Sequence, residues 1–207
     1  MARDIRTIVK DGYERGDYAG RFRTRSHPNE LERRFLERLA VSMPKAGSIL
    51  DLGCGTGIPF DKYLVDQGFQ VTGVDITPKH VEHARENVPG ASFIEGDFST
   101  MDLKDERFDA VIALYSVFHV PREEQQELFT RMYDMLRDHG VILLTLGTRD
   151  SEGTEEDWTG APMAWSNYAP ATYSTMLSRA GFTIAESEYE GQPGDDEHHW
   201  WVLVKKT

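Results

Sequence analysis

The residues of this chain that could do chemistry follow its apolar segments, and the first group is a run of glycines. Gly53, Gly55 and Gly57 come directly after the apolar segment 49–52, which carries one acid, Asp51. Alternate glycines predict a tight turn after a buried strand, where the backbone can approach a ligand closely. The segment after Gly57 can begin a helix, and its free N–H groups would favour an anion such as a carboxylate or a phosphate.

The glycine spacing separates two classes of ligand. A dinucleotide-binding turn has the spacing G-x-G-x-x-G, whereas here the third glycine comes one residue early and Ile58 stands in its place. Asp51 adds a negative charge that would repel a pyrophosphate and attract an ammonium or a sulfonium group. The segment resembles motif I of the class I S-adenosylmethionine-dependent methyltransferases, whose ligand carries an amino acid end, a sulfonium, a ribose and an adenine.

Acids also follow the next two predicted strands. Asp75 comes about 20 residues after the glycines, a spacing at which a carboxylate can accept two ribose hydroxyls. Taken singly, Asp75 or Asp97 could equally be a helix cap or a turn residue. The resemblance implies that Asp75 binds the ribose and Asp97 the adenine amino group, with Ile76 against the adenine face and Phe98 packed on the ring.

The fourth predicted strand leads into a polar segment that resembles motif IV of the same family. The resemblance places Leu114 and Tyr115 beside the methionine part of the ligand. His119 is the best candidate for a catalytic base, because histidine titrates near physiological pH. Its alternative is a hydrogen-bonding role at a helix entry beside Pro121. The candidate cofactor-binding residues are Asp51, Gly53, Cys54, Gly55, Gly57, Asp75, Ile76, Asp97, Phe98, Leu114 and Tyr115.

The segment 147–169 is a candidate substrate lid, because long loops in compact domains are often lids or binding loops. It carries Trp158, Trp165 and Tyr168, which either line an acceptor pocket or only fix the loop to the body. The neighbouring histidines 198 and 199 lack carboxylate or cysteine partners at ligand spacing, so we predict no metal site.

Strand and helix alternate along the chain, which predicts an α/β fold with helices on both faces of a mostly parallel sheet. The predicted helices are 4–13, 29–41, 59–66, 78–87, 122–137 and 170–180. The predicted strands are 49–52, 71–75, 92–95, 108–114, 141–146, 183–189 and 199–204. The link between the last two strands is too short for a parallel crossover, so they should pair as an antiparallel hairpin. The result is a Rossmann-like, doubly wound, seven-stranded sheet.

We expect one methyltransferase domain over residues 1–207, with an N-terminal helical cap region at 1–44. In the resembling family this region often folds over the cofactor, and here it carries Tyr13 and Tyr18. Three glycines predict that any helix is interrupted there: Gly12, Gly16 and Gly20.

The composition opposes several classes of function. The formal charge of −12 argues against a general nucleic-acid surface, since such binding depends on Lys and Arg. We expect a cytoplasmic protein, because we find neither an apolar run of roughly 18 residues nor the apolar core of a signal peptide. We expect a monomer or a homodimer. Cys54 is the single cysteine, which excludes an internal disulfide and indicates a small side chain chosen for fit.

Together these patterns predict methyl transfer from S-adenosylmethionine to a small-molecule acceptor by SN2 displacement, leaving S-adenosylhomocysteine. The sulfonium supplies most of the activation, so the protein must mainly align donor and acceptor. The acceptor atom stays open among O, N, S and C. The alternatives are a cofactor-binding module or sensor without methyl transfer, and a protein methyltransferase. An NAD-dependent enzyme is disfavoured by the glycine spacing and the terminal hairpin.

Overall fold

A computed structural model describes residues 4–22, 24–103, 107–192 and 198–207 of the chain. The strands are β1 (Ser48–Leu52), β2 (Gln70–Asp75), β3 (Ser92–Glu95), β4 (Phe108–Ala113), β5 (Leu136–Leu146), β6 (Ser151–Trp158), β7 (Ala161–Asn167), β8 (Phe182–Glu190) and β9 (His199–Lys206). The helices are α1 (Ile5–Arg15), α2 (Tyr18–Phe22), α3 (Glu30–Val41), α4 (Phe60–Asp66), α5 (Pro78–Asn87), α6 (Gln125–Met135) and α7 (Pro170–Arg179).

Seven of these strands form one sheet, in the order β3-β2-β1-β4-β5-β9-β8. The first five strands of the chain pair in parallel. Strand β9 runs antiparallel to both of its neighbours, β5 and β8. The predicted mostly parallel, seven-stranded sheet with a C-terminal antiparallel hairpin is therefore confirmed.

The central strands β1, β4 and β5 are buried on both faces, as their nearly continuous apolar runs require. On one face, Leu50 and Ile142 belong to a core that includes Phe129 of α6 and Tyr173 of α7. On the other face, Ile49 and its neighbours pack with residues of α3 and α4. The central strands are thereby held rigidly, and the turns that follow them inherit fixed positions.

The segment 147–169 forms a second, two-stranded antiparallel sheet, β6 with β7, where the sequence suggested a loop. Strand β6 is mostly polar and exposed, so it lacks the alternation of apolar and polar residues that marks a half-buried strand. Its pairing partner β7 is covered instead by α1. The hairpin is thus a built element, attached to the N-terminal region.

Helix α1 continues through Gly12 as far as Arg15, so the predicted interruption at Gly12 is wrong. A Cβ built on Gly12 would overlap the carbonyl oxygen of Pro162 in β7. The glycine is therefore a packing residue, and its cost of about 1 kcal/mol in a helix interior is offset by the close approach of α1 to the hairpin. Gly16 does end α1, while Gly20 lies within α2.

Helix α6 begins three residues later than predicted, because a single turn of 3-10 helix (Arg122–Glu124) precedes it. It ends at Met135, where β5 starts. Within the described ranges, no helix is both long enough and apolar enough to cross a membrane.

Candidate active site

The carboxyl ends of β1, β2 and β4 meet at one edge of the sheet, where open α/β folds bind ligands. A cavity of about 60 Å³ lies at this edge, and we call it the cofactor-side cavity. Eight of the candidate cofactor-binding residues line it: Gly53, Gly55, Asp75, Ile76, Asp97, Phe98, Leu114 and Tyr115. Sequence reasoning thus collected residues from four separate segments that the fold brings together.

The glycine turn after β1 is fixed against the end of β4. Gly53 has a φ of 94°, in the left-handed region that favours glycine, and a Cβ there would overlap the Cβ of Ser116. The Ser116 hydroxyl donates a hydrogen bond of 2.5 Å to the carbonyl of Leu52. Gly53 is therefore required both by the backbone conformation and by the space available.

Asp75, at the end of β2, is a buried carboxylate that organises its surroundings. It accepts hydrogen bonds of 2.9 Å from the N–H groups of Gly55 and Thr77, and Nδ1 of His80 lies 3.5 Å from its Oδ1. Burial alone would raise the pKa of Asp75, but the hydrogen bond and charge of His80, with the two N–H groups, lower it overall. Asp75 is ionised at neutral pH and ties the glycine turn to β2.

Asp97 connects the sheet edge to the N-terminal helix α1. Its carboxylate accepts hydrogen bonds from the N–H and hydroxyl of Ser99, and Nε of Arg6 lies 2.9 Å from its Oδ2. Arg6 also pairs with Glu124. Sequence reasoning missed Arg6, because no local pattern relates it to an acid so far along the chain. These ion pairs hold α1 beside the cofactor-side cavity, whose lining includes Arg6, Val9 and Tyr13 of this helix.

Three of the candidate cofactor-binding residues do not line this cavity: Asp51, Cys54 and Gly57. Asp51 is 2% exposed and lies behind the glycine turn, beside Asp61 of α4. Burial and the charge of Asp51 raise the pKa of Asp61 well above its usual range. Sequence reasoning missed Asp61, which is fully buried in the first turn of α4.

Cys54 packs against the apolar cluster formed by α5 and β3. Burial raises the pKa of its thiol, and the nearby carboxylates add to the effect. A thiol held in its protonated form is a poor nucleophile. Its place in the packing agrees with a small side chain that fits a tight turn.

A second cavity, of about 810 Å³, lies beside the first, and we call it the acceptor-side cavity. Four residues line both cavities: Tyr13, Tyr18, Tyr115 and His119. The acceptor-side cavity is bounded by α1 and α2, by the β6-β7 hairpin and by the start of β9. The shared residues mark the place where ligands in the two cavities would meet.

His119 lies at this junction with a defined tautomer. Its Nδ1 is 2.8 Å from the carbonyl oxygen of Ala164, which can only accept, so Nδ1 carries the proton. Its Nε2 therefore accepts a hydrogen bond of 2.7 Å from the Tyr13 hydroxyl. Burial lowers the pKa of His119 to about 4, which leaves the imidazole neutral at physiological pH.

The three aromatic candidates of segment 147–169 separate into two groups. Trp158 and Trp165 line the acceptor-side cavity. Tyr168 is not among the lining residues, because it packs elsewhere: the Arg122 guanidinium lies 4.1 Å from its ring centroid, and Tyr173 makes an edge contact at 5.9 Å. Tyr168 thus fixes the end of the hairpin to the body.

The lining of the acceptor-side cavity contains a partly buried acid that sequence reasoning missed. Glu190, the last residue of β8, accepts hydrogen bonds from the Tyr115 hydroxyl at 2.9 Å and from Nε1 of Trp201 at 3.0 Å. Burial would raise the pKa of Glu190, but hydrogen bonds from His199, Trp201 and Tyr115 lower it.

Among the described residues, no group of three or more His, Cys, Asp or Glu side chains could hold a metal ion.

Comparison with known proteins adds an independent line of evidence. The family model described as "Methyltransferase domain" matches residues 49–140. An uncharacterized methyltransferase of Synechocystis is 30% identical over 161 residues, which cover 72% of each chain. The 18S rRNA (guanine-N(7))-methyltransferase of Bos taurus is 30% identical over 160 residues, which cover 72% of this chain and 51% of that protein.

Solved structures share the fold. The magnesium protoporphyrin IX methyltransferase of Synechocystis, crystallised with bound S-adenosylmethionine, aligns with a TM-score of 0.75 at 18% identity. The alignment covers 100% of this chain and 99% of that one. The chain spans about half the length of several curated relatives that it matches, such as 51% of the bovine protein and 49% of an Enterobacter malonyl-[acyl-carrier protein] O-methyltransferase.

Proposed function

The chain belongs to the class I S-adenosylmethionine-dependent methyltransferase family, and from this membership we propose that it transfers a methyl group from S-adenosylmethionine to a small molecule. One observation carries the proposal beyond the family: two cavities of different character share a wall that contains Tyr13 and His119. A transferase needs such an arrangement, because donor and acceptor must be held in line and close together.

The residues of the cofactor-side cavity suit S-adenosylmethionine chemically. Asp75 is ionised and keeps lone pairs for the two ribose hydroxyls. Asp97 can accept from the adenine amino group, with Ile76 and Phe98 as apolar neighbours of the ring. The bound sulfonium would supply an activated methyl group, and the protein's own contribution is alignment and removal of a proton.

The cofactor-side cavity is smaller than the roughly 300–1,000 Å³ that is usual for ligand sites. Tyr13 of α1 and Tyr18 of α2 belong to its lining, and the Tyr18 ring lies 4.0 Å from a Cβ built on Gly55. We infer that α1 and α2 move outward to admit the cofactor and return over it. With this movement, the N-terminal region 1–44 would act as a cap over the cofactor. We propose that the cap and the sheet belong to one methyltransferase domain, residues 1–207.

A small-molecule acceptor is supported by size and by charge. The acceptor-side cavity, about 810 Å³, lies within the usual range for small-molecule sites. The formal charge of −12 gives no general attraction for nucleic-acid phosphates, although the bovine relative is named for an rRNA target. His119 is proposed to act as the base through Nε2, the ring nitrogen that accepts a hydrogen bond from the Tyr13 hydroxyl at the junction of the two cavities.

Calorimetric titration with S-adenosylmethionine, S-adenosylhomocysteine and NAD tests the proposal. We expect the first two to bind and NAD not to bind. Binding of NAD alone would contradict the assignment of the glycine turn. In a second step, a His119→Asn variant should slow methyl transfer while leaving S-adenosylhomocysteine affinity nearly intact; unchanged turnover at saturating acceptor would exclude His119 as the base.

A further inference from the structure

The acceptor-side cavity is lined by two sets of aromatic rings, and the first belongs to the N-terminal helices and the hairpin. Phe22 and Trp158 stack with centroids 5.4 Å apart and planes 10° apart. Tyr18 lies 6.0 Å from Trp158 with an interplanar angle of 27°. Because the three rings support one another, they form a rigid apolar wall rather than separate mobile side chains.

The second set comes from the end of β4 and from β9. Phe118 and His199 stack at 5.6 Å with planes 24° apart, and Tyr115 meets His199 edge-on at 4.9 Å. The Tyr115 hydroxyl is held by Glu190. This wall is therefore also fixed in orientation, and it lines the same cavity as the first.

Tyr13 and His119 connect the two walls at the end that adjoins the cofactor-side cavity. The Tyr13 ring meets the Trp158 ring edge-on with centroids 5.8 Å apart, and the ring centroids of His119 and Phe118 lie 4.7 Å apart. The hydrogen bond between the Tyr13 hydroxyl and His119 Nε2 lies between these contacts. A flat apolar ligand between the walls would thus bring a polar substituent to this pair.

The basicity of His119 limits which polar group of the acceptor can lose its proton at the Tyr13–His119 pair. The neutral imidazole of His119 is a weak base, since its pKa is about 4. It can assist the loss of a proton from a phenol, whose pKa is roughly 10, far better than from an aliphatic alcohol, whose acidity is close to that of water at about 15.7. An acidic ring hydroxyl suits this site.

We propose that the acceptor is a planar aromatic compound with a ring hydroxyl group, held between the two aromatic walls with that hydroxyl at Tyr13 and His119. This inference rests on the proposed function and specifies its substrate class. Tyr13 becomes a catalytic residue, because its hydroxyl would contact the acceptor directly.

The proposed transfer conserves atoms and charge. The acceptor oxygen forms a bond to the methyl carbon, and the bond from that carbon to sulfur breaks with its electron pair staying on sulfur. The hydroxyl proton passes to the Tyr13 oxygen while the proton of Tyr13 moves to Nε2 of His119. The products are a methyl ether, S-adenosylhomocysteine and an imidazolium whose Nδ1–H still donates to Ala164.

The test uses two probes of the same carbon skeleton, 2-naphthol and its saturated analogue decahydro-2-naphthol. Each is titrated calorimetrically into the protein saturated with S-adenosylhomocysteine. We expect 2-naphthol to bind at least about tenfold more tightly, because a flat aromatic ring can stack on the rings that line the cavity and a saturated, puckered ring cannot. With S-adenosylmethionine labelled in the methyl group, 2-naphthol should yield labelled 2-methoxynaphthalene.

A Phe118→Leu variant tests whether the preference for 2-naphthol over decahydro-2-naphthol comes from the aromatic walls. Phe118→Leu keeps an apolar side chain but removes the ring, and it lies outside the cofactor-side cavity. It should weaken 2-naphthol binding about threefold to tenfold and leave decahydro-2-naphthol binding unchanged. Tyr63→Leu, in α4 and outside both cavities, is the matched control and should change neither.

The outcomes separate this inference from the proposed function. Equal affinity for the two probes, or no 2-naphthol binding up to millimolar concentration while S-adenosylhomocysteine binds, would overturn the aromatic acceptor and leave the methyltransferase proposal standing. Methylation of 2-naphthalenethiol without methylation of 2-naphthol would overturn the hydroxyl assignment. Failure of S-adenosylhomocysteine to bind would overturn the proposed function itself.

Discussion

The two cavities of the candidate site differ in how they are built. The walls of the cofactor-side cavity come mainly from short turns at the ends of β1, β2, β3 and β4, and α1 and α2 add four residues. The walls of the acceptor-side cavity come from α1 and α2, the β6-β7 hairpin and the start of β9, which are distant in the sequence. The first cavity depends on the position of turns on a rigid sheet, and the second depends on tertiary packing. Variants should therefore affect the two cavities differently.

The largest effect is expected where the cofactor side depends on the backbone. Gly53→Ala should lower the free energy of unfolding by about 4 kcal/mol, because it adds strain at a φ of 94° to an overlap with Ser116. Gly68→Ala is the matched control, since Gly68 has a φ of 90° but no atom within 4 Å of a built Cβ. It should cost about 2 kcal/mol from strain alone. Denaturant unfolding measures both, and equal losses would show that the contact with Ser116 does not constrain the turn.

This contrast also explains what the sequence could predict. The glycines, Asp75 and Asp97 were identifiable because each follows an apolar strand directly, and the ends of parallel strands meet at one edge. The seven-stranded sheet and its terminal hairpin followed from the same alternation and from one short link. These features depend on local pattern and on chain connectivity.

The acceptor side could be predicted only in part. The aromatic residues Trp158 and Trp165 were noted, but the hairpin that carries them was not, because β6 is polar and exposed. Gly12 suggested a helix break because glycine is a poor helix former. Its packing role could not be seen, because its partner, Pro162, lies far along the chain. Arg6, Asp61 and Glu190 acquire their roles only from tertiary neighbours. Sequence periodicity carries no information on such contacts.

The second effect concerns the junction between the cavities. The pKa of His119 is about 4 in the folded protein, against an ordinary value of 6.5. Between these values the unfolded chain binds a proton that the folded protein does not, so stability is complete above about pH 6.5 and is lost as the pH falls to about 4. The loss should reach about 3 kcal/mol.

Denaturant unfolding from pH 4 to pH 7 checks this prediction in the parent protein and in His119→Asn. The asparagine keeps a donor for the Ala164 carbonyl but does not titrate. The difference in unfolding free energy between the two proteins should therefore change with pH over this range. A constant difference would mean that His119 is protonated as easily in the folded protein as in the unfolded chain.

A third, smaller effect tests the ribose site. Asp75→Ala should weaken S-adenosylhomocysteine binding by about 2 kcal/mol, roughly thirtyfold, if its carboxylate accepts the ribose hydroxyls. Asp66→Ala is the charge-matched control, because Asp66 is exposed, lines neither cavity and pairs with Lys62 one turn away on α4. Calorimetry on both variants compares them, and equal affinities would remove Asp75 from the cofactor site.

The smallest effect tests whether the N-terminal helix is a separable cap. Arg6 joins α1 to Asp97 and Glu124, and the three side chains are only partly exposed. The Arg6→Ala variant should favour the open position of α1 by about 1 kcal/mol, which raises the open population about fivefold. Chymotrypsin, which can cleave after Tyr13, Tyr18 and Phe22, reports that population as a cleavage rate.

Lys10→Ala provides the control on the same helix, because Lys10 meets Glu95 only at 3.8 Å and both are about half exposed. We expect faster cleavage in Arg6→Ala, an unchanged rate in Lys10→Ala, and the same global unfolding free energy in both. If cleavage instead rises only when global stability falls, α1 opens only with the whole domain. Helices α1 and α2 would then be as rigid as the sheet. The two cavities would differ only in how far apart their lining residues lie in the sequence.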